Sequence, residues 1–250
     1  TTAAEQSSGF VDKPAVQMGG RLSAIRPCRI LHFEMQSDAL LQCARRHGAT
    51  VTALILALMF CAVRDATPKK RGRVQIQVPV NMRKYYPCKT LRNFSMYCSI
   101  RFPLEKIDSP EALIPQIREQ LEEGASRRKM SEMMRAASAM VRSLRWIPLA
   151  VKQPFARAIT GFLGDRVFTT TLSNLGVVKV PEEMAEHVKK MDFSLGGGKL
   201  NRVSCAMVTT GNTAVLSVTK LTHDPTFEES LNRRLKELGV PFCVTGSEMI

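Results

Sequence analysis

The sequence predicts an α/β (α+β) fold, a mixed β-sheet covered by helices, and three observations carry that reading. Val74, Ile76, Val78 and Val80 recur at every second position with Gln75, Gln77 and Pro79 between them, the period of a strand with one buried face. The β-rich runs 203–209 and 214–221 flank Thr210-Gly211-Asn212-Thr213, which reads as a hairpin with a short glycine turn. Segments of helical period are interleaved with these strands, and an antiparallel hairpin near the end of such a chain makes the sheet mixed.

In chain order, residues 1–24 show no period, carry Gly9, Pro14, Gly19 and Gly20, and begin without methionine. They are expected to be a linker or the cut end of something longer, with the domain spanning 25–250. Residues 29–35 alternate as a short strand. Ser37 is placed to cap a helix over 38–47 that Gly48 closes, because serine accepts from orphan amides and glycine takes the left-handed cap. Thr50 or Thr52 then opens ALILALMFCAV, apolar on all sides and therefore a buried helix.

Pro68 and the basic residues 69–73 lead into the Val74 strand. A second strand is expected over 94–102, so that two adjacent strands bracket a polar loop bearing Arg83 and the turn-prone Tyr86-Pro87. Asp108-Ser109 before Pro110-Glu111 is an N-terminal helix signature, with proline where no amide bond is lost; Pro115 is expected to bend this helix. Residues 126–164 are mostly helical in pattern, with breaks near Trp146-Ile147-Pro148 and at Pro154. Their methionines, Met130, Met133, Met134 and Met140, suit a core or the lining of an adaptable groove.

Residues 167–172 form a β-branched run that delivers Ser173-Asn174-Leu175-Gly176 as a polar turn. A short helix around 181–187, the stretch Asp192-Phe193-Ser194-Leu195-Gly196 and a glycine run at 196–198 precede the hairpin. Asp224-Pro225 starts a last helix with Phe227, Leu231, Leu235 and Leu238 on one face, closed by Gly239.

At 250 residues, 44% hydrophobic and 23% charged, the chain is long enough for a substantial core. No apolar run approaches the roughly 18 residues that span a bilayer, and no signal-peptide layout appears, so the expected location is the cytoplasm. Seven cysteines form no CxxC pair, which argues against a zinc site or a disulfide framework and for small core residues. The four histidines, His32, His47, His187 and His223, lie on separate elements without ligand spacing, so no metal is expected. Neither GxSxG, GxxxxGK[ST] nor GxGxxG is present, and the glycines at 196–198 read as a bend. The net charge of +14 raises nucleic acid as a partner, but the basic runs are short and few aromatics lie beside them as stacking platforms, so this reading is disfavoured. A basic surface equally suits an anionic small molecule or an acidic carrier protein.

Val80-Asn81-Met82-Arg83, then Arg92-Asn93-Phe94, then a strand into Ser173-Asn174-Leu175-Gly176, then Asp192-Phe193 before a hairpin, resembles the C-terminal half of the superfamily of chloramphenicol acetyltransferase, nonribosomal-peptide condensation domains and BAHD acyltransferases. Within it the chain is most similar to bacterial alcohol acetyltransferase-like proteins, and the order of elements agrees over nearly the whole length. The resemblance implies one half of a two-half fold, in which a tunnel between the halves admits a thioester donor from one side and an alcohol or amine acceptor from the other. No cofactor is expected to bind tightly; the implied co-substrate is an acyl-coenzyme A or a phosphopantetheine thioester. The superfamily's general base is the histidine of an HHxxxDG motif on the N-terminal half, and this sequence contains no HxxxD, the nearest pattern being His187 with Asp192 one residue too far. The resemblance therefore implies a partner, the N-terminal half, and no turnover by this chain alone.

Thr171, Ser173 and Asn174 fall by resemblance where a strand end faces the tunnel and a hydroxyl or amide donor stabilises an oxyanion; the alternative is that Ser173 and Asn174 close a turn. Arg83, Asn93 and Asp192 fall at structural positions, Asp192 within a variant of the DFGWG motif, and an Arg83–Asp192 ion pair is expected. A face made to meet another half is apolar when exposed, so self-association is also expected. Two further readings stay open: a non-catalytic binding or assembly module of the same fold, which the missing histidine favours, and the disfavoured nucleic-acid binder.

Overall fold

The computed structural model describes residues 14–23, 29–159, 167–196 and 202–246. Each strand expected from the sequence forms: β1 (Arg29–Gln36), β2 (Arg73–Asn81), β3 (Ser95–Pro103), β4 (Thr170–Val177), β5 (Val203–Thr210) and β6 (Thr213–Lys220). With β7 (Phe242–Gly246), which the periodicity does not reveal, they make one sheet in the order β3-β2-β4-β5-β6-β1-β7. β4 runs parallel to both β2 and β5, and the other neighbours are antiparallel, so the sheet is mixed. Strand β7 is five residues long and mostly exposed, so it shows no alternation in the sequence; its place is fixed by pairing with β1, Phe33 opposite Val244.

The helices are α1 (Ser37–Arg46), α2 (Val51–Asp65), α3 (Pro110–Gly124), α4 (Arg127–Ser143), α5 (Leu149–Ile159), α6 (Glu182–Ala185) and α7 (Thr226–Glu237). Helix α2 is apolar all round because it is enclosed all round, by β2, α1, α3 and α7. Thr50 is its cap, accepting from the Ala53 amide at 3.1 Å. The Phe60 ring meets the Phe102 ring edge-on at 4.9 Å, seating the helix on one sheet face. That face is built from Ile76 opposite Ile100, from Leu172, Cys205, Val218 and Leu31 in register across four strands, and from Phe33 opposite Leu216. Ser109 and Ser126 cap α3 and α4, and Gly48 and Gly239 take positive φ where α1 and α7 end.

Several expectations change in detail. Ser37 does not cap α1; it is the first helical residue. The cap comes from the β5–β6 turn, where Asn212 Oδ1 accepts from the Ser37 hydroxyl at 2.9 Å and the Asp38 amide at 3.3 Å. Pairing of β1 with β6 as far as Gln36–Thr213 delivers that turn to the helix start. Helix α3 runs through Pro115, and α5 through Pro154, where a break was expected; each proline forgoes one amide bond and the helix continues. Of the methionines, Met130 is buried, Met133 and Met134 are half-buried and Met140 is exposed, so the stripe leaves the core along α4.

Residues 1–13, and Gly197 and Gly198 of the glycine run, lie outside the described residues. Residues 14–23, within the span read as linker or cut end, pack on the domain: the Val16 and Gly19 amides donate to the Arg73 and Ala66 carbonyls, and Met18 is buried. Cys43, Cys61, Cys98 and Cys205 are buried and unbridged, and burial pushes the Cys98 thiol up to about 11; Cys28 is not among the described residues. Among those residues no group of His, Cys, Asp and Glu is placed to hold a metal ion, and no single helix is long and apolar enough to cross a membrane.

Two charged seams fasten α7. Asp65, at the end of α2, accepts from the Ser230 hydroxyl at 2.7 Å and from Arg234 at 2.9 Å and Arg233 at 3.1 Å. Burial alone would push this carboxyl up; the Ser230 and Arg234 hydrogen bonds and the charges of Arg234 and Arg64 outweigh it and hold it below the usual range. Such a group stabilises the fold above its unfolded pKa, and the contribution is lost as pH falls through the folded one. Urea unfolding between pH 5 and pH 3 should therefore show a steeper loss of stability for the native chain than for Asp65→Asn, which starts lower by about 2 kcal/mol. The other seam is the ion pair of Lys220, fully buried at the end of β6, with Glu228 of α7; the ammonium also donates to the Asp224 carbonyl at 2.6 Å. Lys220→Met should cost about 3 kcal/mol by stranding the Glu228 charge, and Lys220→Met with Glu228→Leu should recover most of it in the same denaturation measurement.

Candidate functional site

The candidate site is the β4 strand end. The sequence placed a turn at residues 173–176, but parallel pairing with β5 keeps the chain extended, with Leu172, Ser173 and Asn174 opposite Cys205, Ala206 and Met207. The irregularity comes later, between Asn174 and Val177, where Gly176 adopts φ +72°. A bulge at a strand end redirects side chains that would otherwise continue the alternation.

Alternation divides the three predicted residues. Thr171 and Ser173 point to the sheet face away from α2, and Asn174 points with Leu172 to the α2 face. Thr171 is buried, and its hydroxyl donates to Gln77 Oε1 of β2 at 3.2 Å. Ser173 is half-buried, and its hydroxyl has no hydrogen-bond partner among the described residues. Asn174 is fully engaged: its amide donates to Thr52 Oγ1 at 3.0 Å and its oxygen accepts from the Gly176 amide at 2.8 Å. It ties the strand end to the start of α2, whereas Ser173 carries the available donor.

The face that holds Thr171 and Ser173 is polar across several strands. The registers set Ser99, Gln77 and Thr171 in one row, and Ser173, Ala206, Ser217 and His32 in the next. His32 Nδ1 lies 2.9 Å from the Ser217 hydroxyl. Sequence reasoning missed this histidine's position because it ran only along the chain, while the row runs across strands distant in sequence. The signal was there in the polar members of each alternating strand. On the same face Glu34 of β1 meets Lys190 at 2.5 Å and the Thr245 hydroxyl at 2.6 Å. Clefts of about 530 and 510 Å³ open against α7 and β7 and between α1, α3 and α7, and neither is lined by Thr171 or Ser173.

The structural residues fall differently from expectation. The Arg83 guanidinium donates to the Thr90 and Arg92 carbonyls at 2.7 and 2.8 Å, so it holds together the loop that follows β2. No ion pair joins it to Asp192, which corrects the expected pairing. Asp192 is exposed and close in sequence to Lys190, whose partner Glu34 lies on β1, four strands from β2. The fork of a guanidinium fits two nearby loop carbonyls without a carboxylate. Asn93 is exposed and accepts from the Ser95 hydroxyl at 2.7 Å, stiffening the entry to β3.

Comparison with known proteins places the fold. No family model matches the sequence, and no curated protein matches it. Among solved structures, the chain is similar to the trichothecene 15-O-acetyltransferase of Fusarium sporotrichioides, with 11% identity and a TM-score of 0.63 over 90% of this chain and 48% of that one. It is also similar to a condensation domain mediating chain release from the enacyloxin polyketide synthase, at 15% identity and TM-score 0.53, over 90% of this chain and 42% of the other. A third is the wax ester synthase/diacylglycerol acyltransferase of Marinobacter aquaeolei VT8, at 11% identity and TM-score 0.50, over 92% and 52%. The chain has the fold these proteins share, a mixed α/β sheet with helices against it, and spans about half the length of each.

Asn174→Ala should lower stability by about 1 kcal/mol, because it leaves Thr52 and the Gly176 amide without their partner. Ser173→Ala, which removes no internal hydrogen bond, should leave the urea midpoint unchanged.

Proposed function

We propose that this chain is the C-terminal half of a thioester-dependent acyltransferase and forms one wall of its tunnel. The carrying observation is that 90% of the chain superposes on about half the length of proteins named as acyltransferases and condensation domains. The polar strand end with an unengaged Ser173 hydroxyl supports a role for that wall. In this reading the acceptor oxygen or nitrogen attacks the thioester carbonyl. Its proton passes to a base outside this sequence, and the carbon–sulfur bond then breaks to release the thiol. Ser173 donates to the oxygen that becomes negative, with Thr171 and Gln77 fixing the strand beside it. The basic character of the chain suits the phosphates of coenzyme A or of a phosphopantetheine arm. The resemblance points to bacterial alcohol acetyltransferase-like proteins, and the cytoplasm is the proposed location.

The test is acyl transfer from acetyl-coenzyme A to a panel of alcohols and amines, read as free thiol, for this chain and for a longer polypeptide that carries an upstream HHxxxDG. Turnover should appear only in the longer polypeptide, and Ser173→Ala there should lower kcat about 10²-fold with little change in KM. Binding without turnover in both would favour a non-catalytic module of the same fold, and turnover by the short chain would place the base within it.

A further inference from the structure

Helix α4 begins in the core and ends outside it. Met130 is fully buried, Met133 and Met134 are half-buried, and at Met140 and Leu144 the same stripe is exposed. The spacing keeps these residues on one side of the helix, while Arg128, Arg135 and Arg142 recur every seventh residue on the other. The chain then turns at Pro148 into α5 with Trp146 86% exposed, Leu149 72% and Val151 59%. Seven of the fifteen exposed large apolar side chains of the described residues fall between 140 and 151. Isolated exposed apolar residues are ordinary; a contiguous set of this size marks an interaction surface.

Charge identifies the occupant. Residues 127–152 carry seven lysines and arginines and one acidic residue, Glu132, which pairs with Arg128. Arg135 and Arg142 have no hydrogen-bond or ion-pair partner among the described residues. The Arg145 guanidinium lies over the Trp146 ring, 5.6 Å from its centre. A second copy of this chain would bring the same positive charge to the contact and be repelled. A large apolar stripe backed by unpaired arginines, with tryptophan at its tip, is instead the pattern of a helix lying in the plane of a bilayer interface, drawn by anionic headgroups and seated by its apolar side.

We propose that α4 and α5 form an interfacial surface that docks this chain on anionic phospholipid membranes. The apolar stripe enters the headgroup region, and the arginines stay at the level of the phosphates. This surface is separate from the β4 strand end and does not rest on the proposed acyl transfer.

Trp146 is the single tryptophan of the sequence, so its fluorescence reports the contact directly. Vesicles of phosphatidylcholine with an equal part of phosphatidylglycerol should shift its emission to the blue and protect it from acrylamide, whereas pure phosphatidylcholine should do so weakly. Rising salt should release the chain from the anionic vesicles. Arg135→Gln and Arg142→Gln should each weaken binding about fivefold. Leu149→Ser with Val151→Ser should abolish the blue shift; these side chains are exposed, so an unchanged circular dichroism spectrum and urea midpoint verify the fold.

The proposal is overturned if anionic vesicles leave the emission unchanged, or if the shift appears with protein concentration alone, which would mean a second copy. A response to nucleic acid that anionic vesicles do not reproduce also overturns it. So does slowed hydrogen exchange at 140–151, without vesicles, in a longer polypeptide that contains this chain, because the upstream region would then be the cover.

Discussion

The burial of α2 is the constraint on which the rest of the structure depends. From Ala53 to Val63 no residue of this helix is more than 1% exposed. A helix without a polar side must be enclosed on every side, and here the sheet, α1, α3 and α7 enclose it. Its six large side chains between Leu54 and Phe60 supply on the order of 10 kcal/mol of apolar burial as an upper bound, comparable with the whole stability of a domain. The polar groups that fix other elements sit at its two ends. Thr52 receives the amide of Asn174, and Asp65 gathers Ser230, Arg233 and Arg234. The helix thus couples the strand end with the candidate donor to the helix that closes the domain.

This coupling explains why adjacent residues of one motif behave differently. Asn174 faces α2 and is consumed by it, whereas Ser173, one residue earlier, faces the other way and keeps its hydroxyl available. A strand end can be both anchored and functional because its two faces are chemically independent. Gly176 and the irregularity beside it end the pairing at the point where the side-chain pattern needs to change.

Periodicity made most of this legible. Period two identified β2, β3 and the β5–β6 hairpin, the all-apolar run identified α2, and Thr50 or Thr52 and the Asp108-Ser109-Pro110-Glu111 run marked helix starts by their chemistry. What could not be read was set by partners distant in sequence. The α1 cap lies in Asn212, 175 residues from Ser37. Strand β7 exists because β1 offers an edge, and residues 173–174 stay extended because β5 lies alongside. The Arg83–Asp192 pairing failed for the same reason in reverse: the need of a half-buried guanidinium for acceptors was visible, but the backbone carbonyls of Thr90 and Arg92 that meet it carry no mark in the sequence. Of the three candidate site residues, alternation separates Ser173 from Asn174 once the strand runs on the two residues past 172.

The distribution of charge completes the argument. Basic residues near α7 are spent inward: Lys220 on Glu228, and Arg233 and Arg234 on Asp65. Arg135 and Arg142 of α4 have no hydrogen-bond or ion-pair partner among the described residues, and they lie on a helix whose apolar stripe runs on past the core. The proposed membrane surface, at once anionic and apolar beneath, meets both features. Helix α4 is seated on α3 and on β3, the edge strand of the sheet, and β4 lies two strands further in, roughly 10 Å. A chain held to a membrane through α4 and α5 therefore keeps the Ser173 strand close to the lipid surface. An apolar acyl group or alcohol partitions into that layer, so, if the proposed acyl transfer holds, docking there would raise the concentration of such a substrate near the Ser173 strand end.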